Sequence, residues 1–481
     1  MSLKNKAVSG LIWTFAQQFS VQIINFGVQV ILARILLPEE FGLIAMLHIF
    51  IAIGTNLLDG GMTSSLIRTE NPDQKDYSTV FFVNLFASVF IYLVVFMMAP
   101  NVGEFFNQPI LNNVLRVYAL SFIIRAFVAV QTTRLTKEMN FKLQMKMQIP
   151  SVILGGLSGV ILALNGYGVW SLVWLNLIQS FLFMVMHWWF SEWKPIMIID
   201  KEKFKYHFEF GYKITLSSLL YTLYRNVYTI IIGKYFSAAQ VGFYFQAETL
   251  RMYPVQHITT ALDKVTYPMF SSIQNDKNSL KIYYKKTMQA VLFLIVPVMT
   301  LLLIFANDVF LLVLGEKWLP SVPLFQILCI SGALQPLQNY NLNILKVKGR
   351  SDLLLKLNLI TKIIPMVLIF AIIPLGIYGI VWFQSLFAFV LFYINSYYSG
   401  RFVNFGIFEQ IKDVWIIFGI SILTGVFIYF LNNWIIVNMP IPILVRIIIN
   451  FLFYGLLYLL IASFSINIFK FYKELLMKLK F

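Results

Sequence analysis

Five polar residues near the start of the chain, Thr14, Gln18, Gln22, Asn25 and Gln29, recur at intervals of three or four, the spacing of one face of an α-helix. Two hundred positions later Ser218, Thr222, Arg225 and Thr229 stand in the same register as the last four. In an apolar setting such a stripe either hydrogen-bonds a neighbouring helix or lines a hydrated cavity, and both readings stay open for any one residue. Four cations, Arg125, Arg225, Arg251 and Lys362, fall inside apolar runs. Each costs roughly 2.5–3.5 kcal/mol at the centre of a membrane helix, and a wet internal cavity removes most of that cost. A cavity so lined is cationic and suits an anion, a diphosphate above all, because guanidinium forks match phosphate oxygens. Against this, Glu248 and Arg251 are three apart and can neutralise each other. Asp59 and Glu248 are the acids placed to couple transport to a cation.

The elements that position these residues are hydrophobic helices. Of 481 residues 59% are hydrophobic, 17% aromatic and 12% charged, about half the charge of a water-soluble chain. Apolar runs place fourteen spans near 9–34, 41–62, 78–99, 112–133, 149–165, 169–190, 211–233, 239–262, 286–306, 321–344, 354–373, 377–398, 412–432 and 442–464. The segments 149–165 and 354–373 are short or broken by Pro and Gly, tolerable where neighbouring helices or a cavity satisfy the freed backbone. The first apolar stretch runs on past four polar residues without a small-residue cleavage site, so it reads as a spanning helix and not a signal peptide. The expected class is an all-α membrane protein of about fourteen transmembrane helices.

The net charge of +16 is a topology signal and needs no nucleic acid. One alternating set of loops and the termini hold nearly all the Lys and Arg outside the spans, while the opposite set holds Arg34, Lys234 and Lys317. The positive-inside rule then puts both termini in the cytoplasm. Arg34, Lys234, Arg116 and Arg446 lie near span ends and read as snorkelling anchors. The stretch 468–481 alternates Lys with apolar residues, either as an amphipathic helix on the anionic leaflet or as a tail obeying the same rule.

Several chemistries are excluded. A single cysteine, Cys329, and four scattered histidines offer no disulfide and no metal-ligand spacing. No cofactor is implied. There is no phosphate-binding glycine loop for ATP and no nucleophile motif. The loops opposite the basic ones are too short to carry the catalytic groups of a glycan polymerase. The chain reads as a transporter and not an enzyme. Trp188 and Trp189 beside His187 read as an interface belt.

The sequence also repeats. Arg34 and Gly42 align with Lys234 and Gly242 at a shift of 200, residues 115–121 with 325–331 at 210, and Tyr167-Gly168-Val169 with Tyr378-Gly379-Ile380 at 211. The expected organisation is a six-helix lobe over 1–200, a second over 201–400, and two added helices with the tail over 401–481. Six is an even number, so both lobes have one orientation, with a substrate site between them and alternating access as the working mode.

The stretches SGLIWTFAQQF and LARILLPEEFGLIAM, with IIGKYFSAAQVGFYFQAETLRMYPVQHI and YPMFSSIQNDKNSLKIYYKK, resemble polysaccharide flippases of the multidrug/oligosaccharidyl-lipid/polysaccharide exporter superfamily. The likeness covers nearly the whole chain and is nearest to Wzx-like exporters of the teichuronic- and colanic-acid type. It implies two six-helix lobes plus two helices. It also implies a polyprenyl-diphosphate-linked oligosaccharide, a precursor of lipopolysaccharide or exopolysaccharide, moved from the inner to the outer leaflet, and membrane lipids and polysaccharide polymerase or assembly proteins as partners. It assigns no role to Arg125, Arg225, Arg251 or Lys362. The alternative is a cation-coupled multidrug exporter of the same fold, which needs carboxylates where this chain has mainly cations. A reporter fused after Phe481 should be active only if it works in the cytoplasm; periplasmic activity there would remove the fourteen-span topology.

Overall fold

A computed structural model describes residues 3–436 and 441–465; the expected tail helix at 468–481 lies outside the described residues. Those residues form helices joined by short turns, with no strand among them. Fourteen long helices coincide with the fourteen expected spans. They are α1 (Leu3–Ile35), α2 (Pro38–Asp59), α3 (Gln74–Phe105), α4 (Ile110–Lys137), α5 (Phe141–Leu164), α6 (Val169–Phe190) and α7 (Lys201–Tyr235). The series continues with α8 (Ala238–Ser272), α9 (Lys277–Ile304), α10 (Ser321–Val347), α11 (Ser351–Ile372), α12 (Gly376–Val403), α13 (Ile407–Leu431) and α14 (Ile443–Ser465). Ten stretches are apolar and long enough to cross a membrane, one of them, Ser351–Val403, holding α11 and α12 together. The other three, α7, α8 and α10, have the length and carry more polar residues.

The helices cluster into two compact units, Met1–Gly242 and Phe243–Phe481. The first holds α7 as well as α1–α6, together with the first turn of α8. Its helices approach through glycine. On α5, a Cβ at Gly155 would lie 2.6 Å from Cβ of Gln179, one at Gly159 2.7 Å from Leu175, and one at Gly156 2.5 Å from Val28. Small residues four apart let α6 and α1 come close enough for van der Waals packing to replace the hydrophobic drive that lipid does not supply. Helix α5 continues unbroken past Pro150.

The repeat has a local counterpart. Residues 31–40 and 231–240 share one pattern, a helix, a two-residue break and a new helix. Just beyond each break, a Cβ at Gly42 would meet the Ala238 carbonyl oxygen at 1.8 Å, and one at Gly242 the Pro38 oxygen at 1.9 Å. The starts of α2 and α8 thus cross reciprocally, backbone on backbone. The Tyr-Gly match at 211 does not carry a shared turn. Gly168 has φ +54° before α6, whereas Gly379 lies inside α12 and Gly376, at φ +75°, makes the corresponding turn.

In the second unit the two added helices are tied to α9 at several levels. Lys281 and Lys285 pair with Glu409 and Asp413 of α13 at 2.9 and 2.6 Å. Further along, Ser421 Oγ donates to Thr300 Oγ1 at 2.8 Å and lies 2.6 Å from the Tyr454 hydroxyl of α14. Arg446 pairs with Asp308 at 2.7 Å, so it is a bonded tie and not the snorkelling anchor expected from its place near a span end. A buried neutral network closes one end of the unit: Tyr284 donates to Asn341 at 2.8 Å, and Gln410 accepts from Asn341 at 3.2 Å and from Ser396 at 3.0 Å.

Gly155→Leu should destabilise the purified protein by about 1–3 kcal/mol, the usual cost of overpacking. Gly27→Ala, where an added Cβ meets nothing within 4 Å, should leave the melting temperature in detergent unchanged or raise it. Equal melting temperatures for wild type and Gly155→Leu would contradict the seam.

Candidate functional site: a polar cavity in the first unit

The first unit contains a partly open cavity of about 630 Å³. Its wall is built by five spans and the turn after α2. Helix α2 brings Thr55, Asn56 and Asp59, α4 brings Arg125 and Thr132, α5 brings Gln148 and Ser151, α6 brings Gln179, and α7 brings Thr215 and Ser218. Asp59 lies four residues from Thr55 and three from Asn56, so the three share a face. Gly60 and Gly61, both with positive φ, end α2 and turn the chain so that Thr63 faces back. Its hydroxyl donates to Asp59 Oδ2 at 2.9 Å, and its N–H approaches Oδ1 at 3.3 Å. Gln17 of α1 donates to Gln148 behind the wall.

Of the residues singled out in the sequence, Asp59, Arg125 and Ser218 meet in this cavity. Arg125 is exposed and makes no ion pair among the described residues, so its guanidinium donors remain available. The polar stripes divide between the two uses open to them. Thr222 is buried and accepts a hydrogen bond from Asn56 Nδ2 at 2.9 Å, tying α7 to α2. Arg225, one turn further on, is exposed. On α1, Gln18 and Asn25 are exposed while Gln22 and Gln29 are half-buried, as is Thr229 on α7. None of these lines the cavity.

The remaining candidates lie in the second unit. Arg251 is 5% exposed. One of its terminal nitrogens lies 2.5 Å from Glu248 Oε1, and the other donates to Ser331 Oγ at 3.3 Å and Gln335 Oε1 at 3.4 Å. The pairing of Glu248 with Arg251, one of the two arrangements open from the sequence, is the one the structure adopts. Lys362 on α11 is half-buried. Near the other span ends, Lys234 donates to the Phe105 carbonyl at 2.8 Å, and Arg116 lies 4.4 Å over the Phe96 ring. Trp189 is 81% exposed, as a belt residue would be, but His187 is buried and Trp188 donates to the Phe127 carbonyl at 3.1 Å.

The periodicity reading missed Gln148, Ser151, Gln179 and Thr132. Their common destination appears only when α4, α5 and α6 are packed. A mid-span amide is itself the available signal, since it needs a partner or water.

A membrane-embedded helical unit with a polar, cation-bearing cavity is the architecture of a transporter. The family model described as "Polysaccharide biosynthesis protein" matches residues 31–323, which is more than half the chain. The chain belongs to this family. Among curated relatives, the lipopolysaccharide biosynthesis protein WzxC of Escherichia coli (strain K12) is 25% identical over 74% of this chain and 73% of its own. The teichuronic acid biosynthesis protein TuaB of Bacillus subtilis (strain 168) is 24% identical over 73% of each chain. Among solved structures, the lipid II flippase MurJ in an inward closed conformation superposes with a TM-score of 0.75, over 97% of this chain and all of the other, at 14% identity. That likeness is one of fold. This member of the polysaccharide biosynthesis family is therefore a multi-pass membrane transport protein, and its cavity is where cargo chemistry can be sought.

Because Arg251 is buried, deleting its partner strands a charge. Glu248→Ala should lower stability in detergent by on the order of 3 kcal/mol, and Glu248→Leu/Arg251→Met should recover most of it. A Glu248→Ala protein as stable as wild type would show that the pair is not structural.

Proposed function

We propose that the chain flips a polyprenyl-diphosphate-linked oligosaccharide from the cytoplasmic to the outer leaflet of the bacterial inner membrane by alternating access. The observation that carries this reading is Arg125, exposed in a polar cavity inside a membrane-spanning unit. A guanidinium in a site of low dielectric attracts a diphosphate strongly and grips it in a fork. Hydroxyls and amides from Thr55, Asn56, Gln148 and Gln179 supply donors and acceptors of the kind a sugar needs. Arg225, exposed on α7, extends the positive surface. Membership in the polysaccharide biosynthesis family and relatives named for lipopolysaccharide and teichuronic acid biosynthesis support a glycan cargo.

Glu248 is occupied by Arg251, so Asp59 in the cavity wall is the carboxylate through which a proton or sodium gradient would act. It accepts from the Thr63 hydroxyl, and it lines the space the cargo would fill.

In cells with the chromosomal gene removed, Arg125→Ala should abolish surface glycan at wild-type membrane levels, with lipid-linked intermediates accumulating. Arg125→Lys should retain partial export, because charge survives while the bidentate fork is lost. Normal glycan in an Arg125→Ala/Arg225→Ala double variant would place the diphosphate site elsewhere.

A further inference from the structure

Helix α7 is held in two unlike ways along its length. Its last third is anchored by apolar burial: Val227, Tyr228, Ile231 and Ile232 are buried, and Gly233 lies against Phe106 and Met46. Over its first twenty residues the buried positions are His207, Gly211 and Thr215, four apart on one face, and half-buried Phe204 packs there against the cluster of Leu66, Phe81 and Trp193. Outward-facing Phe208, Tyr212, Leu216 and Leu220 are 44–58% exposed.

The bonds at this polar end are specific. His207 is fully buried, between Ser65 Oγ at 2.8 Å from Nδ1 and Asp76 Oδ1 at 3.1 Å from Nε2. Lys203 Nζ pairs with Asp76 Oδ2 at 2.9 Å and with Asp73 at 3.3 Å. Arg68 stacks 4.3 Å over the Phe210 ring. One turn on, a Cβ at Gly211 would lie 2.2 Å from the Gly60 carbonyl oxygen, so the backbones touch. Burial holds the His207 imidazole below its ordinary value despite Asp76. Facing a carboxylate, Nε2 is the donor of that bond, and Nδ1 lies against the Ser65 hydroxyl. The next turns of α7, Ile214, Thr215 and Ser218, with Gly61 and Thr63 opposite, are cavity wall.

We propose that Ser65, Asp76, Lys203 and His207 form a releasable clasp that holds the α7 wall of the cavity shut on its basic-loop side, with the apolar end of α7 as the hinge. Hydrogen bonds at such an end can be exchanged for bonds to water at small net cost, whereas withdrawing the buried apolar end cannot. Release exposes the cavity to the leaflet from which cargo is loaded. Re-forming the Lys203–Asp76 pair and the two histidine bonds restores the wall. The inference rests on the transport reading for its purpose, and on geometry alone for the movement.

The test is labelling of a cysteine in the cavity wall, which needs no cargo. In a Cys329→Ser background carrying Ser218→Cys, a membrane-impermeant maleimide is applied from the face bearing Lys194–Lys205. His207→Ala should speed modification at least ten-fold, and so should Gly211→Val, which wedges the same contact without removing a polar group. Gln18→Cys, on α1 outside the cavity wall, should keep its rate in both variants. Unchanged labelling of Ser218→Cys, or an equal rise at Gln18→Cys, would overturn the clasp by showing it static or merely structural. Faster labelling of Ser218→Cys alone, with glycan export unaltered by Arg125→Ala, would uphold the clasp and remove the cargo assignment.

Discussion

A polar group inside a bilayer has no water to bond, and an unmet donor or acceptor there costs several kcal/mol. That constraint governs almost every feature of this protein. It makes the backbone helical throughout the spans, and it favours sending side-chain amides and hydroxyls to a partner or a wet space. The network of Tyr284, Asn341, Ser396 and Gln410 is the first outcome. The cavity lined by Asn56, Asp59, Arg125, Gln148 and Gln179 is the second. The two fates of one stripe, Thr222 bonded to Asn56 and Arg225 left exposed, show both at work on a single helix.

Close backbone contact is the complementary device. Lipid gives little reason for apolar helices to associate, so proximity has to come from shape. Glycines supply it at three places in the first unit: along α5, at the reciprocal crossing of Gly42 and Gly242, and at Gly61 against Gly211. The first of these is a long seam with side chains interlocking on both sides. The last is a single crossing beside a cluster of hydrogen bonds, with half-buried Phe204 as an apolar contact of α7 nearby. Packing of the first kind builds a permanent wall, and packing of the second kind leaves a wall able to open.

Charge is divided along the same lines. Arg251 and Arg446 are neutralised by Glu248 and Asp308 and serve the second unit's internal structure. Lys281 and Lys285 bind the added helix α13 to α9. Arg125 has no such partner among the described residues and faces the cavity. A mid-span cation without a carboxylate partner is sustained by water in the cavity it faces.

Hydropathy and charge asymmetry fixed the number of spans and their places, because a span must be about twenty apolar residues long and every helix satisfies its own backbone. The break at 36–37, its echo at 236–237 and the seventh helix's polar face were legible for the same local reason. Whether Arg251 paired with Glu248 or faced a cavity was not, since spacing allows both and only the packing of α10 around it decides. Likewise Gln148, Gln179 and Thr132 became one wall only when three helices met. The clasp joins residues 65, 76 and 207, brought together by the turn at Gly60 and Gly61 and by the backbone contact of Gly211. Sequence determined what each helix must do with lipid; tertiary structure decided which polar groups meet one another, because that depends on neighbours far away along the chain.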